Sequence, residues 1–485
     1  MYDRNKVIKI NLNNLDFRYD VFQMVNLFYP FSDIEFIEEE MKDDNTLCVE
    51  VNDNEVIISY ELDSYISKID KKCRVKEEVK KSIFKYMNKI TGKKLAWGTL
   101  VGIRPSKKAL EKLEEGISEK EIIRDFNERY LTSKEKAKLC IDVAKWERNI
   151  VNKDEKTISI YVGMPFCPTR CAYCSFTSNP ISSCKTIVEP YLQCLKKEIK
   201  MMSKYVREKE LNVECVYFGG GTPTSINNEQ FEDVMKSMYE SFIENSNVKE
   251  FTVECGRPDS ITREKLMSMK EYGVHRISIN PQTMNDSTLK LIGRSHDVKS
   301  VVETFKIAKD LGFDNINMDI IVGLPGEKFD NIEITCSELE KLKPHSITVH
   351  GMSIKRASKL HENLVNNKKF EIPKQDELNK MYERTVNMSK KLDMKPYYMY
   401  RQKNMVGSME NIGYAIEGKE GIYNVQMIEE KQTIIALGAD AVSKVVFLNE
   451  NRIERFANVK DVREYIKRID EMIDKKINLL DSMYN

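Results

Sequence analysis

The sequence predicts an α/β protein. A partial (β/α)6 barrel is expected over residues 151–370, with an N-terminal α+β domain over 1–150 and a C-terminal α+β extension over 371–485 that covers the active site. Three observations predict this. Apolar strand-like runs alternate with amphipathic helical stretches from residue 157 to 350, which requires parallel strands with helices outside them. Glycine, proline and polar residues gather directly after these strands. On either side of the region the alternation gives way to shorter mixed patterns.

Taken in order, "KVIKINLN", "DIEFIEE", "TLCVEVN" and "EVIISYEL" alternate or run β-branched and read as strands. From "KEEVKKSIFKYMNKI" to "SKEKAKLCIDVAKWERNI" the period is helical, interrupted by the Gly/Pro-rich loop "WGTLVGIRPSKKAL". Six strands follow: "TISIYVG", "VECVYFG", "EFTVEC", "VHRISIN", "NINMDIIVG" and "HSITVH". Helical stretches such as "VEPYLQCLKKEIKMMSKYV" and "VKSVVETFKIAKDLG" separate most of them. This count favours a partial or full barrel over an open sheet. Beyond residue 370, "KQDELNKMYERTVNMSKKL" is helical. "KPYYMYRQKNMVGSMENIGYA", "GIYNVQMIEE", "TIIALGADAVSKVVFL" and "RIERFAN" read as strands, and "VKDVREYIKRIDEMIDKK" as a closing helix.

With 485 residues the chain can hold two or three cores. Its 77 basic and 76 acidic side chains nearly cancel, so no global field draws it to nucleic acid, and no such partner is expected. No apolar run approaches the roughly 20 residues of a membrane span, and "MYDRNKVIKINLNN" lacks a signal core. A cytoplasmic monomer with reduced thiols is expected.

The loops after the strands carry the chemistry. "CPTRCAYC", "GGGTPTS", "ECGRPD", "NPQTMN" and "GLPGE" each follow a strand, where α/β barrels build their active sites. Most of the 11 cysteines read as buried small hydrophobes. Cys167, Cys171 and Cys174 differ, because the spacing C-x3-C-x2-C supplies three thiolates and no fourth. A [4Fe–4S] cluster normally takes four, so three leave one iron open. That iron can chelate the amino and carboxylate groups of S-adenosyl-L-methionine. The competing reading is zinc completed by Cys184 or a histidine, but His275, His296, His345, His350 and His361 all lie far from the cluster in sequence. "GGGTPTS" lacks P-loop spacing, and its glycines and exposed amides suit a close approach to the methionine end of the cofactor.

These motifs resemble the radical S-adenosylmethionine superfamily. More narrowly, they resemble the oxygen-independent coproporphyrinogen III oxidases (coproporphyrinogen dehydrogenases) in their HemZ-type branch. The similarity runs from "YVGMPFCPTRCAYCSF" through "VYFGGGTPT", "VECGRPDSIT", "RISINPQTMND", "LKLIGRSH" and "NMDIIVGLPGE" to "LGADAVSK". It implies cluster ligation by Cys167, Cys171 and Cys174. It also implies cofactor contacts at Tyr161, Tyr173, Gly220, Gly221, Thr222, Glu254, Gln282, Arg294, Asp319, Ser353 and Val442. Read without the motifs, Glu254 or Asp319 would cap a helix, Arg294 would pair at the surface, and Gln282 would satisfy a loop.

The implied reaction is oxidative decarboxylation of coproporphyrinogen III to protoporphyrinogen IX by a 5′-deoxyadenosyl radical, with an unidentified electron donor and acceptor. Arg104, Arg257 and Arg401 lie in loops and are candidates for the substrate carboxylates, each with a structural role as the competing reading. Three departures bear on substrate geometry rather than cluster assembly. Gly163 stands where the family often has His, Phe176 where the family enzymes carry a further cysteine, and "ECGRPD" is about a residue longer than the common form. Two other functions compete. Related heme chaperones share the fold and cluster, but their "HN-x-x-YW" motif corresponds here to "ENIGYA", with Glu410 in the histidine position. Methylation or ring opening of a tetrapyrrole would use the same scaffold.

Overall fold

The computed structural model describes residues 7–30, 32–71, 73–174, 179–355, 357–365, 371–402 and 405–485; Phe176 lies outside the described residues. The chain begins with a five-stranded sheet of β1 (Val7–Leu12), β2 (Asp33–Ile37), β3 (Leu47–Val51), β4 (Glu55–Tyr60) and β5 (Asp63–Lys68), in the order β2-β1-β3-β4-β5. β1 pairs in parallel with both β2 and β3. A parallel neighbour needs a crossover, and α1 (Arg18–Phe28) supplies it. The strand-only reading of this region omitted α1, whose Val21, Met24, Val25 and Phe28 pack with Ile10, Val49 and Ile58 into a core of their own. It also omitted β5, an edge strand with no buried residue.

Four helices lead onward: α2 (Val75–Thr91), α3 (Ser106–Glu114), α4 (Glu119–Tyr130) and α5 (Lys134–Ile150). α2 stops at Gly92, whose φ of 66° suits a left-handed cap. Ser118 and Glu121 form a capping box that starts α4.

The predicted βα alternation then follows. The strands are β6 (Thr157–Met164), the short pair β7 (Phe166–Cys167) and β8 (Asn179–Pro180), then β9 (Asn212–Gly220), β10 (Glu250–Gly256), β11 (Arg276–Ile279), β12 (Ile316–Val322) and β13 (Ser346–Gly351). Between and after them run α6 (Lys185–Glu208), α7 (Asn228–Met238), α8 (Arg263–Glu271), α9 (Asp286–Leu291), α10 (Val298–Asp310), α11 (Phe329–Leu342), α12 (Lys359–Val365) and α13 (Gln375–Lys391). Six long strands, β6 and β9 to β13, pair in parallel in chain order. The remaining elements are β14 (Lys395–Tyr400), β15 (Asn411–Ala415), α14 (Ile422–Glu429), β16 (Thr433–Leu437), β17 (Val442–Phe447), β18 (Arg452–Ala457), α15 (Val462–Lys467) and α16 (Ile469–Tyr484). β15 and β14 extend the sheet beyond β13, while β16, β17 and β18 extend it beyond β6. Among the described residues the end strands β14 and β18 do not pair, so the barrel is partial.

One element differs from its reading. "GIYNVQMIEE" forms α14, not a strand. Its β-branched and aromatic residues suggest a strand, but burial on several sides and a tertiary cap override that preference. The Glu250 carboxylate accepts a hydrogen bond from the Ile422 amide, placing a negative charge at the helix N-terminus. Tyr423 stacks on Tyr217 with ring centroids 4.4 Å apart. Because Glu250 begins β10, α14 plugs the end of the barrel opposite the chemistry-bearing loops.

Candidate active site

Parallel strands covered on both faces are ordinarily apolar throughout. Here four neighbouring strands carry polar residues at every second position: Glu250, Thr252 and Glu254, then Arg276 and Ser278, then Asn317 and Asp319, then Ser346, Thr348 and His350. Period two sends each set to one face, the barrel interior, where they bond in a ladder. Arg276 Nη2 donates to Ser346 Oγ at 3.0 Å, Ser346 Oγ to Asn317 Oδ1 at 3.1 Å, and Asn317 Nδ2 to Asp319 Oδ1 at 2.7 Å. A cavity of about 340 Å³ opens beside the ladder and reaches the loops after the strands.

All three cysteines of the C-x3-C-x2-C loop line this cavity. Cys167 and Cys171 are buried and Cys174 is half-buried. The loop is tied down from several sides. The Ala172 amide donates to the Ile292 carbonyl at 2.9 Å, the Leu360 amide to the Ala172 carbonyl at 3.0 Å, and Arg170 Nη2 to the Ala357 carbonyl at 2.6 Å. Burial pushes the Cys167 thiol up to about 11. Thr222 opposes this by hydrogen bonding, while Cys174 and Cys171 push it further. Thiols that resist one another's ionisation suit a site whose cation is supplied by a metal. Among the described residues no three His, Cys, Asp or Glu side chains converge on one ion-sized point. Three cysteines on one loop beside one cavity give one thiolate to each of three irons of a polynuclear cluster. Cys184, the alternative fourth zinc ligand, precedes α6 and does not line the cavity.

The glycine loop abuts the cysteine loop. A Cβ on Gly221 would lie 2.6 Å from the Phe166 carbonyl oxygen and 3.0 Å from Cys167 Sγ, and Gly220 has a φ of 101°. Only glycine fits this approach. The amides were expected to be exposed for a ligand. Instead, the Gly221 amide donates to the Met164 carbonyl at 2.6 Å and the Thr222 amide to the Phe166 carbonyl at 2.8 Å. They clamp one loop to the other.

The polar candidates converge on the same cavity. Glu254 is half-buried; burial, then repulsion from Asp319, raises its pKa to about 7, against a 3.1 Å hydrogen bond from Tyr217. Burial would also raise Asp319, but His350, 3.6 Å away, together with Asn317 and Thr348, holds it below the usual carboxylate range. Gln282 adopts a φ of 67°, and its amide and carbonyl bond to the Asp319 carbonyl and the Ile321 amide. Non-glycine residues adopt this region uncommonly, and these two backbone bonds hold Gln282 in it. Arg294 is buried rather than at the surface. It donates to the Asn280 carbonyl at 2.7 Å and to the Tyr173 hydroxyl at 3.0 Å.

Tyr173 and Ser353 also line the cavity. Tyr161 stacks on Tyr217 at 6.2 Å, behind the cavity wall. Val442 does not join them: it is exposed on β17 and outside the lining. Among the described residues, three buried donors or hydroxyls of lining residues have no hydrogen-bond partner: Arg276 Nε, Ser278 Oγ and Arg294 Nε.

The candidate substrate arginines are spent on protein groups. Arg401 is buried and donates to the carbonyls of Leu100, Met409 and Ser408, stacked over Trp97. Arg104 donates to the carbonyls of Ile428 and Glu429 and pairs with Glu430. Both are corrected from substrate candidates to structural braces. Arg257 does line the cavity, but its guanidinium is bound to Asp259 and Thr169. The sequence reading missed Arg276, His350, Lys355 and Tyr400, which also line the cavity. Polar residues alternating within strands expected to be apolar would have revealed the first two. A larger groove of about 990 Å³ between α2, α13 and the start of α5 contains none of these residues.

The profile described as the Radical SAM superfamily matches residues 161–339. Over 417 residues the chain is 40% identical to the oxygen-independent coproporphyrinogen-III oxidase-like protein HemZ of Bacillus subtilis (strain 168), covering 84% of this chain and 82% of that protein. The chain belongs to the radical SAM superfamily. Heme chaperone HemW of the same organism is 30% identical over 313 residues, 64% of this chain and 76% of its own length. The structure of coproporphyrinogen III oxidase (HemN) from Escherichia coli, described as a radical SAM enzyme, matches with a TM-score of 0.51 and 20% identity, covering 67% of this chain and 72% of that one. This likeness shows a shared fold. Members of the radical SAM superfamily use a [4Fe–4S] cluster and S-adenosylmethionine, and the donor set described above fits both. Among the described residues no helix is long and apolar enough to cross a membrane.

Proposed function

We propose that the chain catalyses oxygen-independent oxidative decarboxylation of two propionate side chains of coproporphyrinogen III, giving protoporphyrinogen IX. The observation that carries this reading is one cavity shared by the three-cysteine loop and the polar ladder, in a chain 40% identical to a coproporphyrinogen oxidase-like relative. Each propionate must lose CO2, one hydrogen atom and one electron. When bound, the cluster and S-adenosylmethionine supply the adenosyl radical that accepts the hydrogen atom.

The residues of the chain divide by sign. Glu254 and Asp319 would repel substrate carboxylates, so they serve the cationic sulfonium and ammonium of the cofactor. Lys355 lines the same cavity and serves the anionic tetrapyrrole, while His350 stays beside Asp319. Arg294 holds the Tyr173 hydroxyl and thereby fixes the ring beside the third cysteine. The stoichiometry requires an external one-electron donor and acceptor, and the reading takes the enzyme to be a cytoplasmic monomer.

The test is anaerobic incubation of the reconstituted protein with coproporphyrinogen III, S-adenosylmethionine and a reductant, read by mass spectrometry. Loss of two CO2 and four hydrogens is expected. A gain of CH2 would point to a methylase. A tetrapyrrole of unchanged mass that stays on the protein would favour the second reading, a heme chaperone, which the HemW relative supports. Against that reading, Glu410 is buried, accepts a hydrogen bond from Trp97 Nε1 at 2.8 Å and pairs with Lys136, so its side chain is committed internally.

A further inference from the structure

The lengthened "ECGRPD" loop places a charged side chain directly behind the cysteine loop. Arg257 follows Gly256, whose φ of 70° turns the chain at the end of β10, and is 3% exposed. Its guanidinium makes a two-pronged pair with Asp259, Nε to Oδ1 at 3.0 Å and Nη2 to Oδ2 at 2.8 Å. The remaining nitrogen, Nη1, donates to Thr169 twice, to Oγ1 at 2.6 Å and to the carbonyl at 3.2 Å. Thr169 is the middle residue of the three between Cys167 and Cys171, and its hydroxyl donates in turn to the Gly293 carbonyl at 3.0 Å. The Arg257 carbonyl accepts from Ser260 Oγ at 2.9 Å, and Ser260 meets Thr224 of the glycine loop at 2.7 Å. One residue thus links three loops of the mouth.

From this geometry we infer that Arg257 is a positioning residue for the iron–sulfur cluster: it fixes the Cys167–Cys171 segment and sets a permanent positive charge beside it. A fixed cation near a cluster stabilises the reduced, more negative form, and charge and hydrogen bonding around the sulfurs are what set cluster potentials. Asp259 moderates that charge. A tetrapyrrole is not needed for any of this, so the inference stands or falls apart from the proposed reaction.

The test is a redox titration of the anaerobically reconstituted full chain, followed by electron paramagnetic resonance without S-adenosylmethionine or tetrapyrrole. Arg257→Gln should move the cluster midpoint to lower potential and Asp259→Asn to higher potential, with iron content kept. A purely structural residue would not give shifts of opposite sign. Midpoints unchanged, or moved in the same direction in both variants, would overturn the inference. Should Arg257→Gln take up no iron, Arg257→Lys decides. Iron retained by the lysine variant, with thermal stability of the iron-free chain unchanged in both, upholds the charge at this position. Iron lost from both together with that stability would make Arg257 a folding residue and refute the assignment.

Discussion

Replacing Glu254 by Gln removes a carboxyl whose ionisation the cavity opposes. In the folded chain, burial and the Asp319 carboxylate raise the Glu254 pKa from 4.5 to about 7. At about 1.4 kcal/mol per unit this is roughly 3 kcal/mol. The sign follows from proton counting. Between about pH 4.5 and 7 the folded state holds a proton that the unfolded state has released, so stability falls as pH rises through that window. Glutamine keeps the shape and the Tyr217 contact but cannot ionise. Reconstituted Glu254→Gln protein without S-adenosylmethionine should therefore match the parent near pH 4.5 and exceed it by up to roughly 3 kcal/mol at pH 8. With an unfolding entropy of roughly 2 cal/mol/K per residue, 485 residues give about 3 °C in Tm. Differential scanning across pH reads the effect. A constant difference at every pH, or a variant less stable at pH 8, would refute the reasoning.

Gly221→Ala should abolish iron loading, because its Cβ meets backbone oxygens of Phe166 and Met164 at 2.6 and 2.8 Å; normal iron content in the variant would contradict the packing argument. Lys476 and Glu198 are both fully buried and 2.5 Å apart, so Lys476→Met strands a charge and should cost about 3–5 kcal/mol in thermal unfolding. The double variant Glu198→Gln/Lys476→Met should lose less than the single one, since no charge is left unpaired; an equal or larger loss would contradict the pairing.

The barrel was legible in the sequence because its signal is periodic. Six apolar runs with helices between them allow few arrangements, and all six strands form where the pattern places them. The place of the candidate site was legible for the same reason, since the loops after parallel strands must share one mouth. What escaped the sequence depended on partners far along the chain. α14 reads as a strand until Glu250, some 170 residues earlier, caps it. Arg401 looks available until its guanidinium meets the Leu100 carbonyl from the N-terminal segment. The amides of Gly221 and Thr222 look open to a ligand until the end of β6 and the start of β7 bring the Met164 and Phe166 carbonyls against them. α1 is visible only once β1 and β2 are known to pair in parallel and need a crossover. His350 lies far from the cysteine cluster in sequence, and only the pairing of β13 beside β12 sets it 3.6 Å from Asp319 and on the same cavity.

The central claim is that three cysteines hold an iron–sulfur cluster whose remaining iron engages S-adenosylmethionine. Iron analysis combined with 5′-deoxyadenosine detection on reduced, anaerobically reconstituted protein tests it most directly. The account predicts about four irons per chain and 5′-deoxyadenosine release, with both lost in Cys171→Ala. A tightly bound single zinc, or a full cluster retained without Cys171, would contradict it.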